Sequence, residues 1–278
     1  MKRLHLLNTS VLGIAHLLAI VAIVHIVTDF SWLTLGLAFL WLWLSGMAIT
    51  AGYHRLYAHR SYRSAAPVRA FFLIFGAVAV QNSALRWAAD HRVHHANTDT
   101  ERDPYSIKRG FWWAHVGWVL TKRKEVSGAP ADLLKDPLIR WQHKYYVPIA
   151  GVFGALLPAA IGSLWGDAWG CFLVVGFLRL VIQWHCTFSI NSLAHFIGSR
   201  PYNATITARD SFITALVSFG EGYHNFHHAF QADYRNGVRW FDFDPAKWLI
   251  FGLSRVRLAW DLRRTPGAAI ARAREANA

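Results

Sequence analysis

Residues 32–51 read WLTLGLAFLWLWLSGMAITA, a stretch without a charged side chain. As a helix rising about 1.5 Å per residue it covers roughly 30 Å, the thickness of a bilayer's hydrocarbon core. Residues 11–27, just upstream, are apolar except for His16 and His25, and the turn Thr28-Asp29-Phe30-Ser31 joins the two runs as a membrane hairpin. A second pair follows late in the chain: 147–165 has no charge, and 169–190 carries only Arg179, Gln183 and His185 as strongly polar residues. The apolar run 70–80 reaches only about 16 Å as a helix, too short to cross, and is expected to be interfacial or buried. The chain is 54% hydrophobic, which a soluble domain of this size rarely needs. The expected fold class is therefore all-α integral membrane, with four transmembrane helices and a cytoplasmic helical cap from 52–146 and 191–278. No internal repeat or composition break divides residues 1–278, so one domain is expected.

Charge placement fits the same topology, because short loops rich in Lys and Arg stay cytoplasmic. There are 2 such cations before the first span, 15 in residues 52–146 and 11 after residue 190, while the two short opposite turns hold Asp29 and Asp167 and no cation. Both termini and the central loop are thus expected in the cytoplasm. The net charge of +13 is explained by this bias together with attraction to anionic lipid, and nucleic-acid binding is not expected of a four-span chain. The run that follows Met1-Lys2-Arg3 is long, has no small-residue cleavage site and is soon followed by a second span, so it reads as an uncleaved anchor. Cys171 and Cys186 fall on one span about 22 Å apart along the axis, which forbids a bridge between them.

Histidine is the residue type that departs from an ordinary membrane protein. There are 15, and nine fall into four groups: His54 with His59; His91 with His94 and His95; His195, preceded by Asn191; and His224 with His227 and His228. Positions i, i+3 and i+4 share a helical face, so each triplet, and Asn191 with His195, can converge on a common centre. His54 and His59, at i and i+5, diverge by about 140° on an ideal helix; they serve two different metals or sit on a distorted helix end. The first two groups follow the second span and the last two follow the fourth, so all four reach the cytoplasmic side. Ten convergent nitrogen and oxygen ligands exceed what one ion accepts and point to a two-metal site. Imidazole suits zinc, copper, iron and nickel alike, so ligand type leaves the metal open. The other six, His5, His16, His25, His115, His143 and His185, match no group and are expected to have structural hydrogen-bonding roles. Arg179, a charge inside a span, is either functional or paired within the bundle.

At these residues the chain resembles the membrane acyl-CoA desaturases of the stearoyl-CoA desaturase type. The matching stretches are Thr50 to Leu56 with His59 to Tyr62; Trp87 and Asp90 to His95 with Asp103-Pro104; and Arg109 to Phe111 with His115 to Trp118. They continue through Asn191-Ser192 with His195, Arg200 to Tyr202, and Gly220 to His228. The resemblance runs from about residue 35 to about residue 260. It implies a four-span bundle capped by a cytoplasmic domain that holds two Fe2+ ions, with His54, His59, His91, His94, His95, His195, His224, His227 and His228 as direct ligands and Asn191 reaching one iron through a water. It also implies O2-dependent removal of two hydrogens from adjacent methylenes, giving a cis double bond at delta-9 by family analogy, in a chain carried as an acyl-CoA. An unactivated C–H bond has no proton for a general base, so redox metal and O2 must carry such a step.

Arg86, Trp87, Asp90, Lys122 and Arg123 are the candidate substrate contacts, the cations for coenzyme A phosphates. Ala89 stands where relatives that use acyl-CoA often carry Arg, which keeps a glycerolipid-linked or carrier-protein acyl chain as an alternative substrate. A histidine-rich hydroxylase is the alternative activity; it needs the same metals and makes an alcohol. No haem-binding segment is fused at either end, so electrons are expected from a separate ferredoxin-, rubredoxin- or cytochrome-type protein, and the setting expected is a bacterial inner membrane.

Overall fold

The computed structural model of the protein describes residues 3–122 and 129–277. Among them, four helices are long and apolar enough to cross a membrane: Leu6–Thr28, Trp32–Ala58, Tyr146–Trp165 and Ala168–His195. Residues that cannot continue a helix mark their ends. Ser31 accepts the amide of Thr34 at the start of the second span, and Asp167 accepts that of Gly170 at the start of the fourth. The two turns expected opposite the cytoplasm are tied together, His25 Nε2 lying 2.9 Å from Asp167 Oδ1.

The second span runs on past residue 51 to Ala58, and so carries His54 with it. From Ala48 to Ala58 it is a π-helix, with the amide of His59 donating to the carbonyl of His54 at 3.0 Å. Such segments are rare and recur at functional sites.

The short apolar run forms the helix Ala66–Val78, which enters the bundle and stops inside it. Its end, Val78, packs with Trp41, Cys171 and Val175, residues midway along the second span and in the fourth. Two glycines permit the close approach to the π-helix: a Cβ on Gly52 would lie 2.6 Å from that of Phe72, and one on Gly76 would strike the Tyr53 ring. A helix that ends within a bilayer must have its last carbonyls satisfied by protein. Arg179 Nη1 donates to Val78 O at 3.1 Å and Trp184 Nε1 to Ala79 O at 2.9 Å, so the intramembrane arginine pairs with backbone carbonyls. Replacing Trp184 with Phe keeps most of the volume and removes one donor, and is expected to destabilise the protein by about 1–2 kcal/mol, read as a lower melting temperature in detergent.

Residues 79–83 climb back without regular structure, Val80 and Asn82 at positive φ, to Ser83, which caps the helix Ala84–Asn97. Beyond the fourth span, the short helix Phe212–Val217 turns Phe212, Ile213, Leu216 and Val217 outward. Phe219, just after it, packs on Trp43 of the second span at 5.8 Å. The helix His224–Ala229 follows, and a two-residue antiparallel ladder, Arg63–Ser64 with Ala259–Trp260, closes the cap beside it.

The six histidines left outside the four groups all make hydrogen bonds. His5 accepts the amide of Asn8, His25 meets Asp167, and His143 lies 2.7 Å from Ser83. His16, His185 and His115 form a bonded row that ends on Ser192.

Candidate metal centre and its cavity

The nine grouped histidines meet at the end of the second and fourth spans, in two sets. One is His54, His59, His91, His95 and His227; the other is His94, His195, His224 and His228; within each set one nitrogen per ring lies within 4.8 Å of all the others. Of the two alternatives for His54 and His59, the structure has the distorted helix end, and the pair shares one set: i→i+5 hydrogen bonding brings residues five apart onto one face, and their rings are 4.8 Å apart. The triplets, by contrast, do not each converge on one centre. His91 and His95 join the first set and His94 the second, while His224 and His228 join the second and His227 the first. On an α-helix the i+4 residue overlies residue i and the i+3 residue points to the other side of it, so each triplet straddles two centres. Asn191 and His195 do not share one helical face either. The α-helix ends at Asn191, and His195 sits in the 3₁₀ turn Leu193–His195; Asn191 lines the cavity beside His94 and His224.

The ring nitrogens fit a cation. His54 and His227 bring their Nε2 atoms to 2.9 Å, His59 and His91 to 2.8 Å, and His95 and His227 to 3.0 Å. In the second set the corresponding distances are 3.3 Å for His94 with His228 and 3.1 Å for His224 with His228. Ligand nitrogens about 2.0–2.1 Å from an ion and at right angles to one another lie about 3 Å apart. Three of the outer nitrogens are held by acceptors, while those of His224 and His227 have no hydrogen-bond partner. His54 Nδ1 donates to Glu221 at 2.9 Å and His94 Nδ1 to Asp103 at 2.9 Å. His195 Nδ1 donates to Thr207 at 2.7 Å, whose own hydroxyl donates to Asp99. With the proton on Nδ1, Nε2 offers a lone pair inward, and lone pairs facing each other at 3 Å call for a positive ion between them. The arrangement is compatible with a two-metal centre.

Charge works to the same end. Burial, then the neighbouring imidazoles, pushes His59, His91, His95, His224, His227 and His228 below the ordinary imidazole range, favouring the neutral form a metal needs. Below about pH 6.5 the unfolded chain takes up protons that the folded chain refuses, so stability falls as pH drops. Melting temperatures of metal-free protein, measured from about pH 8 to about pH 5, are expected to fall steadily, and added metal to move that loss to lower pH.

Glu221 anchors a buried network. It accepts from Thr50, from Arg55 Nη2 at 3.0 Å and from Asn236 at 2.6 Å, while Arg55 Nη1 pairs with Asp244 at 2.9 Å. Burial alone would raise its pKa; His54 and Arg55 outweigh this and hold it well below the usual carboxylate range. Glu221, Asp103 and Thr207 are partners of the grouped histidines that histidine spacing does not reveal. The first two stand in the Gly220–His228 and Asp103-Pro104 stretches, where a carboxylate so close to histidine is the available signal.

A cavity of about 1020 Å³ lies against the centre, at the upper end of the usual range for small-molecule sites. His54, His91, His94 and His224 form its metal-side wall, and it reaches inward to Val78, Gly154, Gly176 and Arg179. Trp87 lines it, stacked on His91 at 4.9 Å, and donates to Gln81, which donates in turn to Thr187 at 2.8 Å. Arg86 and Asp90 line it as well. Lys122 is exposed and not part of the wall, though Thr121 is; Arg123 lies outside the described residues.

The family model described as "Fatty acid desaturase" matches residues 30–258. The chain is 46% identical over 237 residues to a probable acyl-CoA desaturase of Schizosaccharomyces pombe, covering 84% of this chain and 50% of that protein. It is 36% identical over 274 residues to the Delta(9)-fatty-acid desaturase fat-5 of Caenorhabditis elegans (95% and 82%), and 34% identical over 265 residues to human stearoyl-CoA desaturase 5 (92% and 80%). The chain thus spans about half the length of the yeast relatives it matches.

Proposed function

The chain belongs to the fatty acid desaturase family, and from that premise we propose that it is an oxygen-dependent acyl desaturase. The reaction is –CH2–CH2– + O2 + 2 e⁻ + 2 H⁺ → –CH=CH– + 2 H2O. The substrate is a long-chain acyl-CoA and the bond is placed at delta-9, in keeping with the names of the worm and human relatives. The observation that carries this reading is the shared wall: a largely apolar cavity that passes from the cap into the bundle has histidines able to hold a metal as one side.

In this reading the nine histidines hold two iron ions, with Asn191 contacting one through a water. Bound iron supplies the redox chemistry with O2 that no side chain can. The protein's part is position and exclusion. Glu221, Asp103 and Thr207 fix the tautomers of His54, His94 and His195. Trp87, Gln81 and Thr187, tied in series, give the wall a set shape against which the methylenes lie. Arg86 and Asp90, in the cavity wall, meet the head group, with Lys122 beside the wall residue Thr121. The cation bias supports a cytoplasmic cap and cytoplasmic termini, and in this reading a separate electron-transfer protein supplies the electrons there.

The test is the fatty-acid profile of a desaturase-deficient host that expresses the chain together with an electron donor under oxygen, with double bonds derivatised for mass spectrometry. A new monounsaturated acid is expected, and its fragments report the bond position. A hydroxy acid in its place, or an unchanged profile, overturns the reading.

A further inference from the structure

A second cavity, of about 430 Å³, lies in the cap among Ser199, Tyr202, Asp210, Tyr223, Asn236 and Arg274. It shares no wall residue with the larger cavity, and none of the nine histidines lines it. Its depth is short of donors. Asn236 is 1% exposed; its Nδ2 is spent on Glu221 at 2.6 Å, and its Oδ1 is buried without a hydrogen-bond partner. Asp210 accepts the amides of Asn225 and Phe226 through Oδ1, while its Oδ2 accepts nothing among the described residues. A buried acceptor left without a donor costs about 1–3 kcal/mol, so a group rich in N–H or O–H belongs here. The rim offers the opposite. Arg274 is exposed, spends one N–H on the Tyr202 hydroxyl at 2.6 Å, and meets no carboxylate within salt-bridge distance among the described residues. Asp242, also in the wall, is already taken by Arg239 at 2.9 Å.

The mouth opens among apolar side chains. Phe212 and Phe241 line the cavity yet are 58% and 55% exposed, and Trp240, beside Phe241, is exposed as well. Phe212 begins the short helix whose outward side chains are apolar, and Phe219, just after that helix, packs on Trp43 within the second span. The helix is thus held against a span, and aromatic and apolar side chains turned outward at such a place belong at the lipid interface.

We propose that this cavity binds the head group of a bilayer aminophospholipid, its primary ammonium donating to Asn236 Oδ1 and Asp210 Oδ2, its phosphate on Arg274 and its acyl chains leaving over Phe212 and Phe241. The order along the lipid, ammonium then phosphate then chains, is the order of the wall from depth to mouth. A primary ammonium brings three N–H donors. A trimethylammonium brings none, and a glycerol head group brings hydroxyls but no positive charge to meet Asp210. The site also adjoins the first histidine set, since Asn236 holds Glu221 and Glu221 holds His54. Occupancy steadies that arm of the network and leaves the larger cavity free for substrate. The inference does not depend on the desaturase reading, because nothing reacts in this cavity.

The test uses the full chain, delipidated in detergent, with dioleoylphosphatidylethanolamine as the probe. Native mass spectrometry is expected to show it retained about tenfold more tightly than dioleoylphosphatidylcholine or dioleoylphosphatidylglycerol, the difference that a hydrogen bond to a charged group makes. Arg274→Glu should remove that preference, whereas Arg272→Glu, exposed on the same helix Gly267–Glu275, should keep it. Asn236→Leu should remove it too. Because this change also costs the bond to Glu221, it is read as the shift in melting temperature that the lipid produces, against the variant's own lipid-free value; if the variant does not fold, the two arginine variants decide. Retention of phosphatidylethanolamine equal to or weaker than that of the other two lipids overturns the proposal, and so does a preference that survives Arg274→Glu. Soluble phosphoethanolamine is expected to raise the melting temperature less than the lipid does at equal concentration; equal protection would place the ligand in solution and overturn the membrane source.

Discussion

Replacing His94 with alanine is expected to empty the second centre and reduce desaturation by more than about 100-fold, since losing even a partner of a metal ligand costs about 10–100-fold. His94 joins that centre to Asp103 and supplies the nitrogen that faces His228. Its set has only four histidines against five in the other, so no spare imidazole can take its place. Iron counted per protein should fall toward one from two, with the first set still loaded. His143→Gln is the contrast: this histidine meets Ser83, away from both sets, and both iron and activity should stay near the wild-type level. Retained activity in the His94 variant would remove it from the ligand set.

Glu221→Ala should be the most damaging change outside the histidines. It leaves Arg55, whose side chain is 1% exposed, with Asp244 as its remaining carboxylate, and frees the outer nitrogen of His54. Breaking a buried ion pair from one side costs about 3–5 kcal/mol, because the surviving charge stays buried. A melting temperature many degrees lower is expected even without metal, together with weaker iron binding at the first centre. Glu221→Gln keeps the shape and should retain more stability than alanine, but it no longer neutralises Arg55. A wild-type melting curve for the alanine variant would show that the network carries no such load.

The four spans were legible because crossing a bilayer demands an uninterrupted apolar length, and 32–51 or 147–165 meet that demand without any knowledge of partners. The histidine groups were legible for a similar reason, since spacing of i, i+3 and i+4 is local. What escaped was anything set by a neighbour. The π-helix over Ala48–Ala58, against which Gly52 and Gly76 let another helix approach, is not marked by local spacing, and only with it do His54 and His59 share a set. The division of each triplet depends on two centres standing side by side. Glu221 and Asp103 acquire their roles from histidines whose distance in space, not in sequence, makes them partners. The re-entrant course of Ala66–Val78 likewise rests on Arg179 and Trp184, more than a hundred residues downstream.

The unequal origins of the two histidine sets impose an order on biosynthesis. Four of the first set, His54, His59, His91 and His95, precede residue 96, so a ribosome has made most of that centre before the third span exists. The second has only His94 by then and waits for His195, His224 and His228. A chain made from its N-terminus at about 5–20 residues per second therefore passes through a stage in which one histidine set is nearly complete and the other has a single member. Stalled or truncated chains ending between the third span and residue 195 would be half-built sites, with four of the five histidines of the first set and one of the four of the second.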